Sequence, residues 1–293
     1  MVKKLCSWPP SLLNKASKSI STVQLSHAEY LPESGWEKDR VPLVILHGLC
    51  GSKNNWHIIS KKLAQRLNRP VLAVDARNHG DSDHAPSMQY REMAQDVVAH
   101  LDELCIPRAH ILGHSMGGRT VMALALLQPE LVESLIVEDS TPNWPSGVGS
   151  IIRNYLEVMK AVDMSLLDGS VASLRKRAID QLESVEKNIV ADKDNPSSAV
   201  WRLNLDAIYD SLDDIVSWDS SLAGLQYTGP SCFIGGAKSV HQPTGEFSQE
   251  QKDNVALYFT SPQYHIIQDA GHWVHSEQPQ RFMDCVQDFL NGL

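Results

Sequence analysis

The most informative segment of the chain is Leu112-Gly113-His114-Ser115-Met116-Gly117-Gly118, which lies directly between an apolar run and the helical run Arg119–Leu127. A serine in the pattern Gly-x-Ser-x-Gly, with a strand before it and a helix after it, occupies a sharp and strained turn. The glycines are needed because a Cβ at either position would collide with neighbouring backbone. The alternative, a glycine-rich turn that holds a serine by coincidence, does not account for the strand and the helix. The segment therefore predicts that Ser115 is a nucleophile.

Short apolar runs rich in β-forming residues alternate along the chain with segments of helical period. The runs are Val41–Leu46, Val71–Val74, Ile111–Leu112, Leu135–Val137, Cys232–Ile234 and Tyr264–Ile267. Apolar stripes at helical spacing occupy Trp56–Leu67, Met93–Leu104 and Phe282–Leu293. This alternation predicts an α/β fold with a mostly parallel sheet that helices cover on both faces. An additional strand within Thr22–Tyr30 is expected to pair antiparallel at the sheet edge.

One gap between consecutive apolar runs is too long for a single helical crossover. It separates Leu135–Val137 from Cys232–Ile234, and residues 141–228 within it read as helices without strand-like alternation. We expect these residues to form a helical cap over the carboxyl edge of the sheet. The predicted α/β core then comprises residues 22–140 and 229–293, and residues 1–21 form an N-terminal tail.

The composition of the 293-residue chain excludes several classes of protein. With 26 basic and 35 acidic residues the net charge is −9 and no dense basic block occurs, which argues against binding a nucleic-acid backbone. The longest apolar run, Val121–Leu127, is much shorter than the roughly eighteen residues of a membrane span. The five cysteines are scattered without paired spacing, which argues against structural zinc and favours a reducing compartment. No metal or cofactor is expected.

The N-terminal tail has a charge pattern of its own. Four lysines and no acidic residue precede Glu29, and serine is frequent, as in a mitochondrial presequence. Such presequences usually contain arginine, whereas this segment has none and includes Pro9 and Pro10. A mobile tail explains the same residues equally well. We expect the tail to direct import into mitochondria, and the alternative is a cytoplasmic location.

A second glycine-containing loop, His47-Gly48-Leu49-Cys50-Gly51, follows the apolar run that ends at Leu46. Attack on an ester carbonyl places negative charge on its oxygen, and backbone N–H groups aimed at that oxygen stabilise it. The expected donors are the N–H groups of Leu49 and Met116, the latter at the positive end of a helix. Taken alone the loop is a tight turn, so this interpretation depends on Ser115.

Two histidines compete for the role of base in Ala270-Gly271-His272-Trp273-Val274-His275, which follows the last apolar run. A serine hydroxyl needs an imidazole within hydrogen-bond reach to take its proton. His272 comes first after the strand, in a loop at the carboxyl edge of the sheet, where the Ser115 turn is also expected. His275 is closer to the final helix, which indicates packing. We therefore predict His272 as the base.

Longer motifs extend over most of the chain. They are HGLCGSKNNW (47–56), DARNHGDSDH (75–84), LGHSMGGRT (112–120), IVEDSTP (136–142), VWRLNLDAI (200–208) and AGHWVHSEQP (270–279). Together they resemble the α/β-hydrolase superfamily, and specifically the α/β-hydrolase domain-containing protein 11 subfamily and its bacterial esterase relatives. The resemblance implies ester or lipid hydrolysis, residence in mitochondria in animals, and association with the 2-oxoglutarate dehydrogenase complex.

In one place the chain departs from this resemblance. Relatives usually carry an acidic or polar residue and an aromatic residue in the loop after the strand Cys232–Ile234. Residues 235–241 contain no acidic residue and no Phe, Tyr or Trp. This difference argues against contacts between that loop and the site.

The acid that orients the base is expected directly after a strand. Residues 235–245 contain no Asp or Glu, and Glu246 lies too far along that loop. After the preceding strand, alternation sends Glu138 and Asp139 to opposite sides, so only one of them can face the imidazole. The residues alone leave both open. The resemblance implies Asp139. The bacterial relatives have, after this strand, an Asp, two further residues and a proline, and this chain has the same spacing from Asp139 to Pro142.

The leading hypothesis is a cofactor-free serine hydrolase that cleaves carboxylic esters, of acylglycerol lipids or of acyl thioesters, through Ser115, Asp139 and His272. The alternative is a binding partner of a mitochondrial 2-oxoacid dehydrogenase complex whose esterase activity is secondary. Epoxide hydrolases and haloalkane dehalogenases resemble this pattern but use Asp in place of the serine, so Ser115 argues against both. Residues 79–84 contain possible metal ligands, but a turn explains that segment better.

Overall fold

The computed structural model describes residues 21–37, 40–162, 189–191 and 199–293. The predicted presequence in residues 1–20 and part of the predicted cap, residues 163–188 and 192–198, lie outside the described residues. Within the described ranges no helix combines the length and the apolar composition that crossing a membrane requires.

A seven-stranded sheet forms the centre of the fold. The strands of the chain are β1 (His27–Tyr30), β2 (Leu43–Leu46), β3 (Val71–Val74), β4 (Ala109–His114), β5 (Val132–Glu138), β6 (Ile189–Ala191), β7 (Ala199–Trp201), β8 (Ser231–Gly236) and β9 (Pro262–Ile267). The order in the central sheet is β1-β3-β2-β4-β5-β8-β9, and all neighbours pair in parallel except β1, which pairs antiparallel with β3 at the edge. The predicted α/β class, the parallel strands and the antiparallel edge strand are confirmed.

Helices cover both faces of this sheet. The helices of the described residues are α1 (His57–Leu67), α2 (Tyr90–Glu103), α3 (Met116–Leu127), α4 (Val148–Lys160), α5 (Leu205–Asp210), α6 (Leu212–Val216), α7 (Gln249–Ala256), α8 (Val274–Glu277) and α9 (Pro279–Asn291). Short 3₁₀ helices occupy Lys53–Trp56, Pro129–Leu131 and Ser220–Leu222. The pair α2 and α3 packs on one face, and the pair α1 and α9 packs on the other.

The strand β2 shows why strands at the centre of this sheet contain runs of apolar residues. Val44 and Leu46 belong to the core under α2 and α3, whereas Leu43 and Ile45 belong to the core under α1 and α9. Successive side chains of a strand point to opposite faces, so a strand that helices cover on both sides favours apolar residues at consecutive positions.

The segment between β5 and β8 differs from its prediction in one respect. Residues 141–228 were expected to contain helices alone, but Ile189–Ala191 and Ala199–Trp201 form a two-stranded antiparallel sheet. Three-residue strands are too short to produce a recognisable alternation of apolar and polar residues, so the pattern could not reveal them. The helices α4, α5 and α6 do form in this segment, and α4 packs against the other two.

The register of the sheet brings the ends of its middle strands to one level. His114 at the end of β4 pairs with Glu138 at the end of β5, and Glu138 pairs with Ile234 of β8. Ser115 directly follows β4, and Asp139 directly follows β5. The two residues therefore lie at the carboxyl ends of neighbouring strands, at the same edge of the sheet.

Candidate active site

Ser115 lies in a strained turn between β4 and α3. Its backbone has φ 53° and ψ −115°, in the region of positive φ that residues with a Cβ rarely adopt. A Cβ on Gly113 would lie 2.2 Å from the carbonyl oxygen of Gly117, and one on Gly117 would lie 2.4 Å from that of His47. The two glycines are thus required by the close approach of neighbouring backbone, as the sequence pattern predicts.

The loop of residues 47–51 lies against this turn. A Cβ on Gly48 would be 3.2 Å from the Cβ of Ser115 and 2.7 Å from Nδ1 of His114. Leu49, the first expected oxyanion donor, directly follows this glycine. Met116, the second, is the first residue of α3, whose leading N–H groups have no acceptor within the helix. Both backbone donors therefore belong to segments that adjoin Ser115.

Two buried histidines fix the conformation of this loop. The N–H of Ala76 donates to Nε2 of His47 over 3.0 Å, and the N–H of Cys50 donates to Nε2 of His79 over 3.1 Å. Since Nε2 accepts in both rings, Nδ1 carries the hydrogen, and that of His47 donates to the Gly48 carbonyl over 2.7 Å. Burial lowers the pKa of both histidines, that of His79 to about 3. Both rings are therefore neutral and hold the loop by hydrogen bonds.

The segment 79–84 supplies support for the site and does not form a metal cluster among the described residues. Asp81 accepts hydrogen bonds from Lys53 over 2.6 Å and from Arg202 over 2.8 Å. The interpretation of this segment as a turn agrees with the positive φ of Asn78 and Gly80. The role of His79 as an acceptor for the Cys50 N–H was not predicted, because it depends on a contact between two distant loops.

His272 and Asp139 are joined by a hydrogen bond. His272 lies in the loop after β9, and its Nδ1 is 2.6 Å from Oδ2 of Asp139. The Asp139 carboxylate is fully buried and also accepts from the Gly236 N–H over 3.1 Å and from the Ser239 hydroxyl. A carboxylate is an acceptor, so Nδ1 of His272 carries a hydrogen, and in the neutral ring Nε2 is the acceptor. The second nitrogen of this ring can therefore take up a proton.

Glu138 and His275 form a separate buried pair. Nδ1 of His275 lies 2.8 Å from Oε1 of Glu138, and the N–H of His275 donates to the same oxygen over 2.8 Å. The His275 ring also stacks on Trp56 with 4.1 Å between ring centres. The adjacent carboxylates Glu138 and Asp139 thus bind different histidines, which agrees with alternation along the strand.

His114 connects the serine turn to the loop that carries His272. Its Nε2–H donates to the backbone carbonyl of His272 over 2.9 Å, and the two ring centres are 4.7 Å apart. Burial lowers the pKa of His114 well below its ordinary value, so the ring is neutral. Within the described part of the chain no hydrogen bond joins the Ser115 hydroxyl to the His272 ring. Such bonds between catalytic groups often tighten only when substrate is present.

The loop after β8 contributes two side chains, contrary to the sequence prediction. Ser239 binds the Asp139 carboxylate, and His241 stacks on His272 with 5.0 Å between ring centres and 26° between ring planes. Burial, as the largest cause, lowers the pKa of His241 to about 4. A neutral ring adds no repulsion when its neighbour becomes an imidazolium.

Arg119 joins the first turn of α3 to the segment that follows β5. Its guanidinium, which is fully buried, donates to the carbonyl oxygens of Ile215, Val216 and Ser217 over 3.2, 2.9 and 3.2 Å. It also lies over the Trp144 ring, 4.0 Å from the ring centre. The role of Arg119 was not predicted, although an arginine in an otherwise apolar helix directly after the serine is a signal in the sequence.

Two groups of side chains in the described ranges have ligand atoms close enough to hold a metal ion. Asp139, His241 and His272 form the first group, in which a metal would compete for the hydrogen bond between Asp139 and His272. Cys232 on β8, His265 on β9 and Cys285 on α9 form the second group.

A cavity of about 380 Å³ lies at the other end of the sheet. Its lining includes Pro42, Pro70 and Pro107, which precede β2, β3 and β4. Because Ser115, Asp139 and His272 follow the carboxyl ends of their strands, this cavity is not part of the candidate active site.

Comparison with known proteins identifies related hydrolases. A family described as the alpha/beta hydrolase fold matches residues 41–279. The sn-1-specific diacylglycerol lipase ABHD11 of Mus musculus is 40% identical over 85% of this chain and 80% of its own length. Esterase YbfF of Escherichia coli is 31% identical over 85% of this chain and 93% of its own length. A solved structure described as a marine microorganism esterase is 28% identical, with a TM-score of 0.79, and covers 92% of this chain and 100% of its own.

Proposed function

The chain belongs to the α/β-hydrolase family and is an ester-hydrolysing enzyme, and on this premise we propose that Ser115, His272 and Asp139 form its catalytic triad. The observation that carries the proposal is the 2.6 Å hydrogen bond between Nδ1 of His272 and the buried Asp139 carboxylate. The strained backbone of Ser115, on the neighbouring strand end, supports the role of this residue as the nucleophile.

In the proposed mechanism, Oγ of Ser115 attacks the ester carbonyl while Nε2 of His272 takes the hydroxyl proton. The N–H groups of Leu49 and Met116 stabilise the resulting oxyanion, and Asp139 stabilises the imidazolium. Collapse of the intermediate breaks the ester bond, and His272 passes its proton to the leaving alcohol. Water, deprotonated by His272, then attacks the acyl-serine and releases the carboxylic acid. The second collapse returns the proton to Ser115.

We propose acylglycerol lipids as the substrate class. The mouse relative, named as an sn-1-specific diacylglycerol lipase, supports this choice. A second support is Trp273, whose exposed fraction is 53% although it directly follows the base and its ring centre lies 5.3 Å from that of His272. An exposed indole beside the reacting groups favours an apolar acyl chain over solvent.

A substrate panel tests this class. We expect kcat/KM for a diacylglycerol with long acyl chains to exceed that for an acetate ester by at least about tenfold, because each buried methylene adds binding energy. Trp273→Ala is expected to lower kcat/KM for the diacylglycerol more than for the acetate ester. The measurement is release of carboxylic acid at matched concentrations of both esters and of an acyl thioester. A preference for the acetate ester or for the thioester would contradict the lipid assignment while leaving ester hydrolysis intact.

The adjacent carboxylates provide a matched pair of variants. Asp139→Asn is expected to lower kcat by about ten-thousand-fold, because an amide leaves the His272 imidazole in the wrong tautomer. Glu138→Gln is expected to retain turnover and to cost about 2 kcal/mol of the free energy of unfolding, because it weakens the buried pair with His275. Initial rates and urea denaturation separate the two effects. The role of Asp139 is refuted by the reverse outcome, in which Glu138→Gln loses turnover and Asp139→Asn keeps it.

A further inference from the structure

Three soft metal ligands meet outside the candidate active site. Cys232 on β8, His265 on β9 and Cys285 on α9 each offer one ligand atom, and these atoms all lie within 4.8 Å of one another. Cys232 is fully buried, Cys285 is half-buried and His265 is exposed. The three residues come from three separate elements, so no spacing in the sequence reveals them.

The sheet register explains why these residues meet. In the parallel pair of β8 and β9, Ile234 is opposite His265, and Cys232 is two residues before Ile234. Residues two apart share a face, so Cys232 and His265 point to the same side of the sheet. That side is covered by α9, which contributes Phe282 and Val286 to the same core. Cys285 is partly buried and packs against this core.

The cluster is separate from the residues around Asp139. Gly236, whose N–H binds Asp139, is four residues further along β8 than Cys232. At about 3.3 Å per residue this amounts to roughly 13 Å. None of the three ligand residues takes part in the hydrogen bonds of Ser115, Asp139 or His272 in the described part of the chain.

We propose that Cys232, Cys285 and His265 bind a zinc ion that fastens α9 to β8 and to the edge strand β9. Two sulfur ligands and one imidazole nitrogen are a donor set that favours zinc over magnesium or calcium. On binding, each thiol loses its proton to solvent, Zn–S and Zn–N bonds form, and a water molecule completes the fourth position.

The geometry and the charge of the cluster both fit this ion. With Zn–S bonds of about 2.3 Å, tetrahedral ligand atoms lie about 3.8 Å apart, so atoms already within 4.8 Å need only small side-chain movements. The carboxylate of Asp288, one helical turn after Cys285, interacts electrostatically with it and adds negative charge beside the site. The exposure of His265 gives the ion a path from solvent.

Zinc titration of the full chain tests the proposal. The protein is stripped with a chelator, kept reduced with a phosphine, titrated with zinc chloride, desalted and analysed for bound zinc. We expect about one zinc ion per wild-type chain and at least about a tenfold weaker affinity in Cys285→Ser and in His265→Ala. Cobalt in place of zinc is expected to give the visible bands of a tetrahedral site and a thiolate charge-transfer band, and Cys285→Ser should lose the latter.

Two control variants identify the site. His241→Asn removes a ligand of the other cluster, and Cys105→Ser removes a thiol outside both, so both variants should bind zinc as the wild type does. Zinc at about one hundred times its wild-type Kd is expected to raise the Tm of the wild type by about 5 °C and to raise that of His265→Ala by no more than about half as much. A wild-type chain that retains no zinc would overturn the proposal. Loss of zinc in His241→Asn but not in Cys285→Ser or His265→Ala would do the same.

Discussion

Replacing Ser115 by alanine is expected to lower kcat for ester hydrolysis by about a million-fold, because the variant lacks the oxygen that forms the acyl-enzyme. The free energy of unfolding should change by less than about 0.5 kcal/mol, since the hydroxyl makes no hydrogen bond within the described part of the chain. Initial rates with a soluble ester and thermal unfolding followed by circular dichroism measure the two quantities.

A buried serine elsewhere supplies the control for this variant. Ser60 lies in α1, on the face of the sheet opposite α3, and is fully buried. Ser60→Ala should therefore keep wild-type turnover. Turnover near the wild-type level in Ser115→Ala would show that another group is the nucleophile, and the proposed mechanism would be wrong.

Replacing His272 by alanine is expected to be nearly as damaging, because the members of a triad act as a unit and the serine loses its base. The ring is partly exposed, so its loss leaves little unfilled space in the core, and the carboxylate of Asp139 keeps two of its donors, Gly236 and Ser239. We expect kcat to fall by about a million-fold. The loss is measured from initial rates of ester hydrolysis at several pH values, with purified variant whose fold is confirmed by circular dichroism.

His275→Ala is the matched control for the base. It removes a buried imidazole that binds Glu138 and stacks on Trp56, so the buried Glu138 carboxyl keeps only the hydrogen bond from the backbone N–H of residue 275. We expect a loss of about 3–5 kcal/mol in the free energy of unfolding, with turnover retained by the folded fraction. If His275→Ala loses turnover and His272→Ala keeps it, the assignment of the base is reversed.

Much of the architecture could be predicted because local patterns determine it. The strands β2, β3, β4 and β5 are buried on both faces, so each contains a run of apolar residues, and these runs alternate with helical stripes. The need for glycine on both sides of Ser115 could likewise be predicted. It comes from close backbone contacts within the serine turn and with the neighbouring loop. The strands β6 and β7 were missed, since three residues give no detectable period.

The side chains that support the site could not be predicted in the same way. His241 matters because its ring stacks on His272, and His79 because it accepts from the N–H of Cys50. Each contact joins segments that are far apart in the chain, so neither residue carries a local signal. The choice between Glu138 and Asp139 was similarly open on alternation alone. The family resemblance implied Asp139, and the structure pairs Asp139 with His272 and Glu138 with His275.

Covalent labelling decides whether Ser115 is an activated nucleophile. The wild-type chain is incubated with a fluorophosphonate, digested, and analysed by mass spectrometry for the modified peptide. Our account predicts one adduct per chain, located on Ser115, and none in Ser115→Ala or His272→Ala, because phosphonylation requires a serine whose proton an adjacent base accepts. An active wild-type enzyme that remains unlabelled, or an adduct on a residue other than Ser115, would contradict it.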